Sequence, residues 1–147
     1  MKRQDRKELL EQHKKIFIYY HQNTGSSRLP ISWGLECGNG WIPLIWDLCD
    51  IIQHHVDWKQ KADPKFQQVE VHQCKEKFGS LRFYTGGGDE YVDGAIAMAE
   101  YISSRTCEQC GVPGEMRKDG WWRVTCDPCE EKRAEKMKNS EKSEIGE

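Results

Sequence analysis

The chain has 147 residues, a formal net charge of −2 and a pI near 6.2, so no overall positive field draws it to DNA or anionic lipid. Its charged first residues lack the apolar segment of a secretory signal, and no stretch approaches the roughly 18 apolar residues of a membrane span, so we expect neither. Seven cysteines in such a chain favour a metal and a reducing compartment over disulfide bonds, which predicts a cytoplasmic protein.

An amphipathic helix is predicted over residues 3–22. Its apolar positions follow helical spacing and comprise Leu9, Leu10, Ile16, Phe17 and Tyr20. Gly25 supplies a C-terminal stop. The irregular stretch that follows, residues 26–40, contains Trp33 and Cys37. We expect this stretch to pack against a core, because these residue types gain most from burial.

The most amphipathic pattern of the chain begins at Trp41. Apolar residues recur at three- and four-residue steps as far as Val56, and Pro43 suits a first helical turn. The pattern predicts a helix that ends near Asp57. Residues 57–64 are polar and are predicted to form a connection.

A β-hairpin is predicted next. Apolar and polar residues alternate around Val69 and Val71 and again over residues 81–84, which indicates two antiparallel strands joined across residues 77–80. After a break at residues 86–88, Asp89 is an N-capping residue type. It predicts a helix whose inward stripe comprises Tyr91, Val92, Ala95, Ile96, Ala99 and Ile102.

Four cysteines near the C-terminus carry the clearest chemical signal. Cys107 and Cys110 form one Cys-x-x-Cys pair, and Cys126 and Cys129 form a second pair after fifteen intervening residues. Two such pairs at this separation are typical of a tetrahedral zinc site. The sequence therefore predicts one structural zinc ion. Because four thiolates close the coordination shell, we do not expect a catalytic zinc.

The residues around the quartet predict a treble-clef-like zinc finger. A knuckle at Gly111 precedes a hairpin with its turn at residues 118–120 and its return strand at residues 121–124, and a helix follows over residues 130–138. A zinc ribbon, the alternative, would end in a second knuckle instead of a helix. The expected fold class is α+β. It comprises a helical core with one β-hairpin over residues 1–104, the docked four-cysteine zinc module over residues 105–138, and a disordered tail over residues 139–147.

Two basic-aromatic clusters are candidates for ligand binding. The first lies around the predicted hairpin turn and suits a phosphate or a nucleotide; it comprises Lys75, Lys77, Arg82 and Tyr84. The second lies on the zinc-module hairpin and suits stacked bases and phosphates; it comprises Trp121, Trp122 and Arg123. The structural alternatives are a solvated strand face for the first and tryptophans packed on the zinc module and an adjacent helix for the second. Exposure of both tryptophans would favour a partner surface.

Other motifs give weaker indications. The glycines at 86–88 stand where a helix N-terminus could hold a phosphate, but Asp89 and Glu90 would repel an anion, so a flexible turn is favoured. Cys74 would share a strand face with His72, yet no third group orients them for nucleophilic catalysis. A second metal site would draw on Cys37, Cys49 and Cys74, which lack knuckle spacing, so buried free cysteines are favoured.

Three strings together resemble a family of small phage and prophage proteins. They are Cys37-Gly38-Asn39-Gly40-Trp41; Lys75-Glu76-Lys77-Phe78-Gly79 with Leu81-Arg82-Phe83-Tyr84; and the cysteine quartet with Pro113-Gly114 and Gly120-Trp121. The resemblance covers about residues 28–130. That family has no established activity. The resemblance implies a viral or prophage origin, action in a bacterial host cytoplasm, and partners such as host proteins, nucleic acids or signalling nucleotides, including a counter-defence role.

Three functions remain open at this level. The favoured one is a binding protein with a structural zinc that captures a phosphate-bearing ligand (a nucleotide or nucleic acid) or a host protein, because two basic-aromatic clusters occur without a catalytic set. The second is a metal-dependent nuclease or phosphodiesterase that uses acids and histidines of the core. The third is a DNA-binding regulator, which the negative net charge disfavours. No membrane partner is expected.

Overall fold

The computed structural model describes residues 5–22 and 35–145. The helices are α1 (Arg6–Gln12), α2 (Ile18–Gln22), α3 (Ile42–Ala62), α4 (Glu90–Ser103) and α5 (Asp127–Ile145), with a 3₁₀ turn at Asn39–Trp41 before α3. The strands are β1 (Glu70–Lys77), β2 (Ser80–Gly86), β3 (Glu115–Arg117) and β4 (Arg123–Thr125), and they form two antiparallel pairs, β1–β2 and β3–β4. The predicted α+β class is confirmed. In the part of the chain described, no helix is long and apolar enough to cross a membrane.

The predicted first helix is wrong in one respect, because it consists of two short helices. Asp5 caps α1 by accepting a hydrogen bond from the Lys7 N–H at 2.8 Å. The backbone leaves the helical region at His13, with φ −121° and ψ 44°. The His13 ring is held there between the Leu9 carbonyl oxygen at 2.9 Å and an Asp50 carboxylate oxygen on α3 at 2.7 Å. A tertiary contact thus occupies the point at which α1 ends. The predicted stop at Gly25 lies outside the described residues, as does Trp33.

Helix α3 lies at the centre of the core. One face of it is buried over Ile42, Ile45, Trp46, Leu48, Cys49, Ile52 and Val56. This face packs with the inward side of β1–β2 and with α4, whose buried apolar positions are Val92, Ile96 and Ala99. Each fully buried aliphatic side chain of this kind contributes about 1.5–3 kcal/mol. The helix continues to Ala62, so most of the predicted connection at 57–64 is helical.

The predicted hairpin is confirmed, and its turn is tight. Lys77 pairs with Ser80, so Phe78 and Gly79 are the two central residues of the turn. Both have positive φ, 52° and 85°, as a type I′ turn requires. A non-glycine residue at positive φ is uncommon. A Cβ on Gly79 would lie 2.5 Å from Met116 Sδ, so the turn packs directly against β3.

A bulge in β1 changes which side chains share a face. Val71 pairs with Thr85 and Gln73 with Tyr84, so His72 is an extra residue without a partner on β2. Cys74 is therefore buried, whereas His72 is exposed and lies edge-on to Tyr19. The expectation that Cys74 and His72 share a strand face is wrong, because strict alternation stops at the bulge.

The C-terminal module (residues 105–145) docks on the core through the segment that precedes α3. The Gly40 N–H donates to the Glu108 carbonyl oxygen at 2.8 Å, and the Gly38 N–H donates to a Glu108 carboxylate oxygen at 2.7 Å. The buried Trp41 adds a third bond, from its indole N–H to the Thr106 carbonyl oxygen at 2.9 Å. The segment that carries the first cysteine pair thus packs against the Gly-Asn-Gly-Trp string.

Helix α5 is longer than predicted. It runs to Ile145, so the segment predicted to be a disordered tail is helical as far as that residue. Residues 130–142 are rich in glutamate and lysine, which are good helix formers. The ion pair of Glu130 with Arg123 anchors the first turn, which supplies the nucleus from which such a sequence propagates.

Candidate metal centre and basic-aromatic groove

The four cysteines of the quartet converge on one point. Their Sγ atoms all lie within 4.8 Å of one another, and Cys110 Sγ is 3.6 Å from Cys126 Sγ. The first pair lies on a tight turn in which the Gly111 N–H donates to the Cys107 carbonyl oxygen at 2.9 Å. Cys126 immediately precedes α5 and Cys129 lies in its first turn. Turn, hairpin and helix follow one another in the order expected of a treble clef.

The electrostatics of the quartet favour a bound cation. Burial of the Cys107 thiol opposes ionisation, but hydrogen bonds from the N–H groups of Cys126, Cys110 and Gln109 lower its pKa to about 7. The hydrogen bond with Cys126, burial and the neighbouring thiols raise the pKa of Cys129 to about 12. Four thiolates this close repel one another, so a positive ion is needed to hold all of them ionised.

The three remaining cysteines lie in the hydrophobic core or pack against it. Cys49 and Cys74 are buried, and Cys37 is half-buried. Burial raises the pKa of Cys49, and a hydrogen bond with Cys37, together with burial, raises the pKa of Cys74. A thiol with a raised pKa is a poor nucleophile at neutral pH, so neither buried cysteine has the character of a catalytic one. Within residues 5–22 and 35–145, the quartet is the one group of His, Cys, Asp or Glu with metal-site spacing.

Arg123, predicted to bind ligand, is instead committed inside the module. Its guanidinium forms an ion pair with the Glu130 carboxylate and donates to the carbonyl oxygens of Asp119 at 3.0 Å and Trp121 at 2.9 Å. Thr125 donates to the same carboxylate at 2.7 Å. The Arg123 side chain is only 10% exposed, so a ligand has little access to it. It ties the hairpin to α5 and fixes the backbone at Trp121.

We expect Glu130→Gln to destabilise the C-terminal module by about 2–3 kcal/mol at neutral pH, because it leaves the buried Arg123 charge short of its partner. The Arg123 hydrogen bond lowers the pKa of Glu130 to about 2. Because folding lowers the pKa of Glu130, the stability that its carboxylate contributes is fully present above the pKa of glutamate in the unfolded chain, about 4.3. This contribution is lost as the pH falls toward 2. Denaturant unfolding at pH 7 measures the change; Glu131→Gln, an exposed neighbour, is the control, and equal stability of the two variants would contradict the assignment.

A surface groove of about 1030 Å³ lies between the turn of β1–β2 and the hairpin of the C-terminal module. We call it the basic-aromatic groove. It brings together five predicted ligand-binding residues from two separate parts of the chain: Lys75, Lys77, Arg82, Trp121 and Trp122. Phe78 and Lys118 also line it. Tyr84 does not, because it follows Arg82 two positions further along β2, away from the turn.

The tryptophans of the groove are exposed. Trp121 is 74% exposed and Trp122 41%, so the alternative in which one indole packs on the zinc module and the other on the adjacent helix is wrong. The predicted return strand begins only at Arg123, which leaves both indoles on the loop before β4. Phe78, 64% exposed, meets Trp122 edge-on with ring centroids 6.2 Å apart, and Lys118 Nζ lies 4.7 Å from the Trp122 ring centroid. Large exposed apolar surface of this kind marks an interaction site.

Phe78 and Lys118 line the groove although the sequence assigned them no ligand-binding role, and Phe78 is the aromatic one of the two. Its pattern is typical of a core residue, because phenylalanine in a strand-like run is ordinarily buried. The available signal was its place beside Gly79 at the centre of a two-residue turn, where a side chain must point away from the sheet. Its positive φ is observed backbone strain at an exposed position, which is a feature associated with functional sites.

The glycine-rich turn before α4 offers no phosphate site. The Asp89 carboxylate accepts a hydrogen bond from the Val92 N–H at 3.2 Å and lies 2.8 Å from His55 Nε2. The hydrogen bond with His55 lowers the pKa of Asp89, which keeps the carboxylate charged at the N-terminus of the helix. An anion would meet this charge first, in agreement with the interpretation of residues 86–88 as a turn.

Comparison of the chain with protein-family models, with curated proteins and with solved structures gave no match. Function is therefore inferred from the cysteine quartet and the basic-aromatic groove.

Proposed function

We propose that this protein binds a phosphate-bearing ligand of the nucleotide class in the basic-aromatic groove, and that a structural zinc ion holds one wall of the groove in place. The observation that carries the proposal is convergence. Four cationic and three aromatic side chains, contributed by the β1–β2 hairpin and by the C-terminal module, line one open groove. Neither part of the chain forms the groove alone.

The charges of the groove call for an anion. Lys75 pairs directly with Arg82 across β1–β2, and like charges at facing positions destabilise a hairpin. Lys77 and Lys118 add two further positive groups, and none of the four forms an ion pair with a carboxylate whose position is described. A phosphate between them would relieve this repulsion and accept charge-assisted hydrogen bonds.

The one acidic side chain that lines the groove is already engaged. A Glu76 carboxylate oxygen accepts a hydrogen bond from the Gly79 N–H at 2.8 Å, which closes the turn of β1–β2. Its charge reduces the positive field of the groove, but its bond is a structural one. Four cations against one carboxylate leave the groove positive, which suits a ligand with one or more phosphates.

The aromatic rings suit a base. Stacking of a nucleic-acid base on an exposed aromatic side chain contributes about 1–3 kcal/mol, and it tolerates any base because each has a π-face. Trp121, Trp122 and Phe78 offer such faces beside the cations. A sulfate or an acidic side chain would use the positive charges but leave the rings without a partner.

Zinc is the metal that the quartet fits best. An ideal tetrahedron with zinc–sulfur bonds of about 2.3 Å has edges of about 3.8 Å, close to the observed 3.6 Å between two of the sulfurs. Soft thiolate ligands in tetrahedral array select zinc or iron–sulfur chemistry, and a single ion with four cysteine ligands has no open position. We therefore assign it a scaffolding role. It fixes the start of α5 against the hairpin that carries Trp121 and Trp122.

We expect a thymidine hexanucleotide to quench the tryptophan fluorescence of the full-length, metal-loaded protein at low salt. Trp122→Ala should weaken binding by about 5- to 150-fold, the equivalent of one stacked base. Arg82→Gln should weaken it by about tenfold, because one charge-assisted contact with phosphate is lost. Affinities are measured by fluorescence anisotropy of a labelled oligonucleotide.

The matched control is Trp58→Ala. Trp58 is also largely exposed, at 62%, but lies on α3 outside the groove. We expect it to leave affinity unchanged. No binding by the wild-type protein, or equal losses from Trp58→Ala and Trp122→Ala, would overturn the proposal.

A further inference from the structure

A second groove, of about 690 Å³, adjoins the first. We call it the α5 groove. Its outer wall is the exposed face of α5, with Lys132, Arg133, Lys136 and Met137. Trp121, Trp122 and Glu76 line both grooves. The two grooves therefore meet at the tryptophan pair, and a ligand that stacks on the indoles faces positive charge on either side.

The cations of the α5 groove are placed for contact with a ligand. Lys132 and Lys136 are four residues apart on α5 and lie on the same helical face. Both are exposed, and neither forms an ion pair with a carboxylate that the structure places. Arg133 differs, because its guanidinium donates to Glu130 at 3.2 Å and extends the internal ion pair. The two lysines are the available positive groups of this groove.

Both acidic residues that line the α5 groove accept hydrogen bonds from backbone N–H groups of the protein. Glu76 closes the hairpin turn through the Gly79 N–H, and a Glu108 carboxylate oxygen accepts from the Gly38 N–H at 2.7 Å. The positive lysines thus face the open side of the groove, while the carboxylates face the protein.

We infer that the ligand is a single strand of nucleic acid that runs from the basic-aromatic groove over the tryptophan pair into the α5 groove. This inference rests on the proposed function and deepens it. A mononucleotide would use one groove and leave Lys132 and Lys136 without a partner. A strand presents a phosphate at every step and unstacked bases between them, which matches cations on both sides of exposed indoles. A duplex hides its base faces, so it would leave the tryptophans unused.

The lysines of α5 permit a charge-matched test. The double variant Lys132→Gln/Lys136→Gln removes two charges from the groove, and Lys138→Gln/Lys142→Gln removes two charges at the same spacing elsewhere on α5. The measurement is affinity of the full-length, metal-loaded protein for thymidine oligonucleotides of two and twelve residues at several salt concentrations. Each phosphate contact on a single strand contributes about 0.7 to the slope of log affinity against log salt.

We expect the twelve-residue strand to bind at least tenfold more tightly than the dinucleotide. The Lys132→Gln/Lys136→Gln variant should lose about 1.4 from the salt slope for the long strand, while its affinity for the dinucleotide stays unchanged. The Lys138→Gln/Lys142→Gln variant should match the wild-type slope within measurement error. These three results together would support a strand that uses both grooves.

Other results would overturn the inference in distinguishable ways. Equal affinity for the two lengths, with binding lost in Trp122→Ala, would restrict the ligand to one nucleotide unit and leave the proposed function standing. Equal slopes for the two double variants would remove α5 from the site. Binding of neither oligonucleotide would overturn both proposals. Tighter binding of a polyglutamate peptide than of the twelve-residue strand would assign the grooves to an acidic protein segment and also overturn both.

Discussion

Replacement of Cys129 by serine is expected to abolish stoichiometric metal binding and to unfold the C-terminal module. Cys129 lies in the first turn of α5, so a metal bond to its thiolate would hold this helix against β3–β4, together with the ion pair of Arg123 and Glu130. Structural zinc contributes about 10–16 kcal/mol of binding free energy in small zinc domains. This energy stabilises the folded state, because the unfolded chain has no preformed site. The module has little else in its core, since the buried side chains among residues 105–142 are Cys107, Val124, Arg123 and Thr125.

The expected readout is loss of one bound zinc per chain and a fall in melting temperature of about 10–20 °C, which corresponds to about 5 kcal/mol for a protein of this size. Metal content is measured by elemental analysis and unfolding by circular dichroism. Removal of the metal from the wild-type protein with a chelator should have the same effect. Iron in place of zinc in the elemental analysis would correct the identity of the metal without changing the expected loss.

The control for this experiment is Cys37→Ser, which changes a half-buried cysteine outside the quartet. We expect it to retain one equivalent of metal and to melt within a few degrees of the wild type. A Cys129→Ser variant that kept both its metal and its melting temperature would show that the cluster is not a metal site.

Gly40→Ala is expected to separate the C-terminal module from the core. A Cβ at position 40 would lie 2.2 Å from the Cys107 carbonyl oxygen and 2.6 Å from the Gly111 backbone nitrogen. Both are backbone atoms of the turn that carries Cys107 and Cys110, and they cannot move aside as a flexible side chain would. The Gly40 N–H bond to Glu108 would be lost as well. We expect the variant to be less stable than the wild type by about 3 kcal/mol or more. Oligonucleotide binding should weaken as well, because the two walls of the basic-aromatic groove no longer hold their relative positions.

Gly94→Ala is the matched control. Gly94 lies within α4, and a Cβ there would meet nothing within 4 Å. Alanine is the better helix former, so this variant should be more stable than the wild type by about 0.5–1 kcal/mol. Denaturant unfolding measures both variants. Equal effects of the two substitutions would mean that the close approach at Gly40 does not hold the module in place.

Local patterns predicted the parts of this protein whose stability is local. The spacing of the cysteine quartet, the alternation around Val71 and Phe83, and the capping residue Asp89 each lie within a short stretch, and the corresponding elements are present. Two elements show where the structure differs from prediction. The first helix ends where His13 meets a distant partner, Asp50. Helix α5 continues beyond Lys138 because its first turn, anchored by the Glu130–Arg123 ion pair, supports a strongly helix-forming sequence.

The candidate site shows the same division. Its residue types were evident as two basic-aromatic strings, and their chemistry predicted a ligand with phosphate. The sequence could not show that the strings share one groove. That depends on the hydrogen bonds from Gly38 and Gly40 to Glu108, which dock the turn that carries Cys107 and Cys110 on the core. Nor could it distinguish Arg123 from its neighbours, since a guanidinium in a strand is expected to be exposed until Glu130 on α5 is placed beside it.

By itself, then, the sequence determined the cysteine quartet as a candidate metal site, the hairpin, most of the helices and the kind of chemistry available at their surfaces. These features depend on covalent spacing and on periodicity over a few turns or strand residues. The tertiary structure alone decided which cations of the grooves lie apart from the carboxylates that the structure describes, which aromatic rings are exposed, and that the grooves meet at Trp121 and Trp122. The physical reason is that charge pairing and burial depend on neighbours distant in the chain, and only the docked modules bring those neighbours together.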